Sequence, residues 1–252
     1  MVILEGTWWR ERQRSMRRAV SDDLADEDAL FPTALLDLLD AVEASFRDRG
    51  GTALAWSDPH TGPGGEDLDI RDEEYSRCEH PERYRILWTR AEAWAEVLSD
   101  RGLAGRTTEQ GIGTVRWRAP TMSDPVVTDV LTPYAAGAER LVIARTETAE
   151  GFPGVLLGIG DPTESIDLQP DCGCDACDSG SADLLETLDR PILSVVDGSL
   201  ELRTTPSGYC LRSSFGAEAG EGAFPPEVAR TVRSAPWGLE GSPLPMAPRI
   251  RW

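Results

Sequence analysis

The run Pro170-Asp171-Cys172-Gly173-Cys174-Asp175-Ala176-Cys177-Asp178-Ser179-Gly180-Ser181 constrains this chain more than any other stretch. It sets three of the five cysteines within six positions, between segments that read as a strand and a helix. Thiols spaced Cys-x-Cys-x-x-Cys converge on one centre only if the backbone turns tightly. Gly173 permits that turn, and Gly180 releases the chain into a helix. Three thiolates suit zinc, which takes four soft or nitrogen ligands in a tetrahedron. A redox pair would instead need a thiol pKa lowered by positive neighbours or a helix N-terminus. Asp171, Asp175 and Asp178 work against that by like-charge repulsion, and they attract a divalent cation. Metal therefore ranks above redox chemistry, and the plain alternative is a reduced turn held by its Asp and Ser side chains.

A closed zinc site needs a fourth ligand, and no second Cys-x-x-Cys follows at finger-like spacing. The candidates are His60, Cys78, His80 and Cys210. Cys78 and His80 form a Cys-x-His pair just ahead of a helix, from where either can swing in. His60 follows Pro59, a setting that more often marks an exposed turn than a ligand or base.

Length and charge bound the rest. At 252 residues the chain can bury a substantial core. A net charge of -19, with all 25 basic residues arginine, argues against a broad footprint for nucleic acid or anionic membrane. It leaves a basic protein as the partner that charge alone would select. No apolar run approaches the roughly 18 residues of a membrane helix. The apolar stretch Met1–Glu5 is too short for a signal peptide. Five cysteines in a chain this long do not make a disulfide framework, so a reduced, cytoplasmic protein is expected.

Residues 1–18, with Trp8, Trp9 and five arginines, read as a basic, disordered arm, and Met16 offers an alternative start. The apolar stripe Leu35, Leu36, Leu39, Val42 and Phe46 predicts a helix over 33–48, closed by Gly50-Gly51. Residues 52–80 form a loop long enough to be functional or disordered. A second helix opens at Pro81 and buries Tyr84, Leu87, Trp88, Ala91, Trp94, Ala95 and Leu98 before Gly102. From residue 112 the period becomes that of strands: 114–118, 140–146 with 155–159 as a hairpin, 200–204, and 209–213. Gly158-Ile159-Gly160 lacks the third glycine and following helix of a dinucleotide fingerprint, which excludes that site. A third helix over 181–197 takes Ser181 as N-cap and should kink or split at Pro191.

The expected fold is α+β: an antiparallel sheet of about five short strands with three main helices, long loops and an irregular C-terminal tail. Residues 19–214 make one domain between the 1–18 arm and a Gly/Pro-rich tail, 215–252, which Trp237 and Trp252 can anchor.

Four stretches carry a resemblance. Trp56-x-Asp58-Pro59-His60, Glu74-Tyr75-Ser76-Arg77, Pro81-Glu82-Arg83-Tyr84 and Pro170–Leu185 together resemble an uncharacterised bacterial family, a domain of unknown function seen mainly in actinobacteria. The resemblance runs over residues 34 to 205, and the cysteine string is its most specific piece. Cys78 and His80 depart from the residues usual at their positions, which weakens them as the fourth ligand. The family has no assigned activity, so the resemblance implies one folded unit and no mechanism. The leading functional expectation is a non-catalytic protein that binds zinc through Cys172, Cys174 and Cys177. The alternatives are an acidic interaction or immunity-type protein masking a basic partner, and a zinc- or thiol-dependent enzyme. The enzyme reading is short of general bases, with two histidines in the chain.

Overall fold

The computed structural model describes residues 7–22, 24–119, 121, 123–148, 151–221 and 229–246. Among the described residues there are four α-helices: α1 (Trp8–Ser21), α2 (Thr33–Asp48), α3 (Arg85–Asp100) and α4 (Gly180–Asp197). Nine strands among the described residues form two antiparallel sheets, so the class is α+β. The first sheet is a meander of β1 (Ala104–Gln110), β2 (Asp124–Pro133), β3 (Leu141–Glu147), β4 (Pro153–Ile159) and β5 (Glu164–Gln169). The second is built from β6 (Glu201–Thr205), β7 (Gly208–Ser213), β8 (Gly216–Glu221) and β9 (Arg230–Arg233), in the order β8-β7-β6-β9. No helix among the described residues is long and apolar enough to cross a membrane.

α3 is the central element. Its Ile86, Leu87, Ala91, Trp94, Ala95 and Leu98 are all buried, so it is apolar on more than the one face its spacing suggests. It lies against α2 and α4 on one side and the first sheet on the other. From α2 it receives Leu35, Leu38, Leu39, Val42 and Phe46. From the sheet it receives Leu131, Leu141, Ile143, Val155 and Leu157. Trp88 donates its indole N–H to the Gly154 carbonyl at 2.9 Å and pins α3 to β4. Gly51 ends the α2 region under close packing, since a Cβ there would run into the Phe46 ring.

Within this core sits a charge. Arg90 is 1 % exposed and grips the wholly buried Asp189 of α4 through Nε (2.8 Å) and Nη2 (2.7 Å). Its Nη1 reaches Glu43 of α2 at 2.9 Å. Asp189 also accepts the indole N–H groups of Trp94 (2.6 Å) and of Trp8 on α1 (2.9 Å). Three helices therefore meet at one carboxylate, and the fourth, α2, joins them through Glu43 on Arg90.

Several expectations are corrected. Residues 8–18 are not a disordered arm but part of α1. Trp9 is buried with its indole on Asp40, and Gln13 exchanges two hydrogen bonds with the Phe31 backbone. The first six residues of the expected arm lie outside the described ones. The chain around 114–118 is not a strand: Val115 and Trp117 fold over the outer face of the first sheet, on Val130 and Val142. Helix α4 does not split at Pro191. The contacts of Asp189 hold that turn against a cost of about 3 kcal/mol for an interior proline. The tail is not wholly irregular, because β8 and β9 fall within it. Beyond β9, Trp237 and Leu244 are buried, while Trp252 lies outside the described residues. The β3–β4 hairpin forms with Leu141 opposite Ile159, although Glu150 of its turn is not described.

Removing one partner of a desolvated pair strands the other charge, at a cost of about 3–5 kcal/mol. Asp189→Ala is expected to lose that much unfolding free energy in urea denaturation, whereas Arg233→Ala, at the exposed pair with Glu201, should change little. Comparable losses for the two variants would contradict the central role of Asp189.

Candidate metal centre

The chain leaves the edge strand β5 at Gln169 and must reach the start of α4 at Gly180. The residues between form the cysteine turn. Asp171 accepts the backbone N–H of Cys172 at 2.7 Å, and Asp175–Cys177 make a single 3-10 turn closed by Cys177 N–H on the Cys174 carbonyl. Gly173 has no room for a side chain, because a Cβ would meet the Phe152 ring. Gly180 has φ +82°, and a Cβ there would come 2.6 Å from the Asp58 backbone nitrogen.

The turn brings the Sγ atoms of Cys172, Cys174 and Cys177 within 4.8 Å of one another. The Cys172 thiol lies 3.3 Å from that of Cys174, and all cysteines are free. Cys172 and Cys177 are exposed, Cys174 half-buried. Burial alone would raise Cys174, but hydrogen bonds from the Cys172 and Cys177 thiols and the backbone N–H groups of Cys177 and Ala176 lower it overall. As donor to Cys174 and Cys172, Cys177 is pushed up to about 12. Beside the thiols, Cys172 and Cys177 line a cleft of about 190 Å³ together with Asp171, Tyr84, Asp183 and Thr187.

No further His, Cys, Asp or Glu among the described residues joins the three thiols. Cys78 is packed at the edge of the core, where burial and the Asp175 charge push its thiol up. The largely exposed His80 lies 3.5 Å from Glu82. Cys210 sits in β7, in the second sheet. His60 stands next to the turn but is occupied. Its Nδ1 lies 3.2 Å from the Asp178 carbonyl and its Nε2 3.1 Å from Glu74.

The aspartates do not cradle the thiols either. Asp175 accepts from Arg77 Nε at 2.8 Å and from the Glu79 backbone N–H at 3.1 Å. Burial would raise its carboxyl, but these bonds hold it below the usual range. Asp178, 5 % exposed, pairs with Arg83 at 2.6 Å and accepts the Trp56 indole N–H at 2.9 Å and the Gly180 N–H at 2.9 Å. The like-charge repulsion expected from Asp175 and Asp178 is thus neutralised by Arg77 and Arg83. Ser181 is not the N-cap, a position taken by Ser179. Its hydroxyl instead bonds the Trp56 backbone on both sides, donating to the carbonyl at 3.0 Å and accepting the N–H at 3.1 Å.

Residues 52–80, with Arg83 just beyond them, are therefore a clamp. Trp56, His60, Glu74, Arg77 and Arg83, drawn from three separated sequence stretches, all close on the turn that carries the thiols. Arg83 lies over the Trp56 ring at 4.9 Å, adding a cation–π contact. Sequence reasoning found each stretch without finding their convergence. The one available signal was the repeated pairing of acidic residues in the turn with arginines at 77 and 83.

Both groups that face His60 are acceptors, so both ring nitrogens donate, and that is the imidazolium. Burial would lower its pKa, but the hydrogen bonds to Glu74 and the Asp178 carbonyl, with the charges of Glu74 and Asp58, raise it overall. A raised folded value means stabilisation that is complete below the ordinary histidine pKa of about 6.5 and lost as pH rises through the folded one. Asp167 and Asp197, which burial pushes up to about 6, lose theirs in a lower window. In thermal melts between about pH 6 and 9, the wild type should lose more stability than His60→Ala. Parallel profiles would reject the imidazolium.

A family model described as a family of unknown function, DUF6226, matches residues 42–242. The match extends past residue 205, where the motif resemblance stops, and takes in every residue of the clamp. No curated protein and no solved structure matches the chain. With most of its length matched, and the site wholly inside the match, the chain belongs to the DUF6226 family of unknown function.

Proposed function

We propose that this protein binds a zinc ion through Cys172, Cys174 and Cys177, on a turn that is folded before the metal arrives. The observation that carries the reading is the convergence of three Sγ atoms within 4.8 Å on a backbone already fixed by Arg77, Arg83, Trp56 and Ser181. Zinc–sulfur bonds of about 2.3 Å place tetrahedral thiolates about 3.8 Å apart, so rotations of about 1 Å complete the set. Thiolates are soft donors and favour zinc over magnesium or calcium, whose oxygen ligands would have to come from carboxylates. Asp175 and Asp178 are committed to arginines and supply none.

Three protein ligands leave one tetrahedral position, which water or a small ligand from the cleft would fill. That is an open site, unlike the closed four-ligand sites that hold small domains together. The role assigned here is reversible, non-catalytic metal binding in a reducing, cytoplasmic setting where thiols persist. His60 cannot serve as a general base without breaking its bonds to Glu74 and Asp178.

Elemental mass spectrometry of protein purified without chelator or affinity nickel should find about one zinc per chain, lost in Cys174→Ser. After chelation the circular dichroism and cooperative unfolding should persist, because the clamp is made of protein groups alone. Absence of zinc from the wild type would end this reading, and unfolding on chelation would convert the site into a structural one.

A further inference from the structure

We infer that the same turn is a modification site, at which a hydroperoxide oxidises metal-free Cys172 and Cys174 to a disulfide, so that disulfide and metal are mutually exclusive states. The oxidation needs no metal, whereas the exclusivity rests on the zinc reading above.

The geometry selects this pair. Cys172 is exposed, so a small oxidant reaches it from solvent, and its sulfur is 3.3 Å from that of Cys174. A disulfide needs about 2.05 Å between sulfurs, a closure that side-chain rotation of two near neighbours can supply. Cys174 stays in place because the turn that follows it is held through Asp175 and Asp178. Cys78 and Cys210 lie outside the three-thiol group. The electrostatic argument against redox chemistry is weakened, since Arg77 and Arg83 neutralise two of the three carboxylates expected to oppose it, Asp175 and Asp178.

The reaction closes in two steps. The Cys172 sulfur attacks one peroxide oxygen, the O–O bond breaks, and water (or an alcohol from an organic hydroperoxide) departs, leaving a sulfenic acid. The Cys174 sulfur then attacks the Cys172 sulfur, the S–O bond breaks, and the hydroxide leaves as water with the Cys174 proton. Two thiols are oxidised by two electrons and the peroxide is reduced by two. A disulfide sulfur is not a thiolate ligand, so closing this bond removes two of the three donors and would release the ion.

The chain lends itself to the test, because trypsin cuts at Arg145 and next at Arg203, the Arg190-Pro191 bond being resistant, and places the three thiols in one peptide. Cys78 and Cys210 fall in peptides 78–83 and 204–212. Chelated, reduced full-length protein would be treated with hydrogen peroxide, alkylated, digested and mapped by mass spectrometry. The expected product is peptide 146–203 short of two hydrogens with only Cys177 alkylated, while Cys78 and Cys210 stay fully alkylated. With free zinc at about 100 times its dissociation constant, oxidation should slow about 100-fold, because only the metal-free fraction reacts. In Cys174→Ser, the Cys172 sulfenic acid should instead persist and be trapped by a dimedone probe. A disulfide that uses Cys177, equal oxidation of Cys78 and Cys210, or direct passage to sulfinic acid would overturn the assignment. Disulfide formation in a protein that binds no zinc would sink the metal reading and leave this pair standing. Zinc binding with no disulfide would do the reverse.

Discussion

One carboxylate, that of Asp189, sets the geometry on which the remaining elements depend. It is wholly buried and takes two N–H groups from Arg90 and one each from Trp94 and Trp8. A charge in that position is tolerable only with its donors in place, because desolvation costs several kcal/mol per ion. Satisfying it fixes the rotation and depth of α4 against α3 and of α1 against both. An all-apolar interface of the same area would hold the helices together, but it would specify their register less sharply.

From Asp189 the constraint travels along α4 to its first turn. Ser181 lies eight residues earlier, about 12 Å along the axis, and there the helix meets loop 52–80 through the Trp56 backbone. At its middle α4 is thus tied to the helical core, and at its first turn to a loop built of short 3-10 turns. The cysteine turn is suspended between that second tie and the edge strand β5. Its side chains are consumed in holding it: Asp171 on a backbone N–H, Asp175 on Arg77, Asp178 on Arg83 and Trp56. The three thiols face one another, with no further His, Cys, Asp or Glu among the described residues joining them.

How much of this could be read beforehand divides along physical lines. The apolar stripes of α2, α3 and α4, the β3–β4 hairpin and the cysteine cluster were legible because each is written in local periodicity or spacing. β1 was not, since Ala104–Gln110 is a polar edge strand with little burial to impose alternation. Trp117 misled in the opposite sense. It alternates like a strand residue, yet it is a loop side chain covering Gly158. The arginines of α1 suggested an unstructured arm because Arg14, Arg17 and Arg18 face water, while the anchoring groups, Trp8, Trp9 and Gln13, bond to residues far away in sequence. The clamp was invisible for the same reason: Trp56 and Asp178 are 122 positions apart, and no local rule joins them.

That long-range clamp bears on what the thiols can do. In small zinc domains the metal supplies the folding free energy, so a large part of its binding energy is spent on ordering the chain. Here Arg77, Arg83, Trp56 and Ser181 have already done the ordering, and Gly173 and Gly180 sit in conformations their neighbours enforce. If zinc binds as proposed, binding energy at Cys172, Cys174 and Cys177 would be available for affinity, and losing the ion would not threaten the fold. On the proposals above, the turn would move between thiol, metal-bound and oxidised forms while α4 and β5 stay where they are. The chemistry is confined to three sulfurs because the rest of the turn is already occupied.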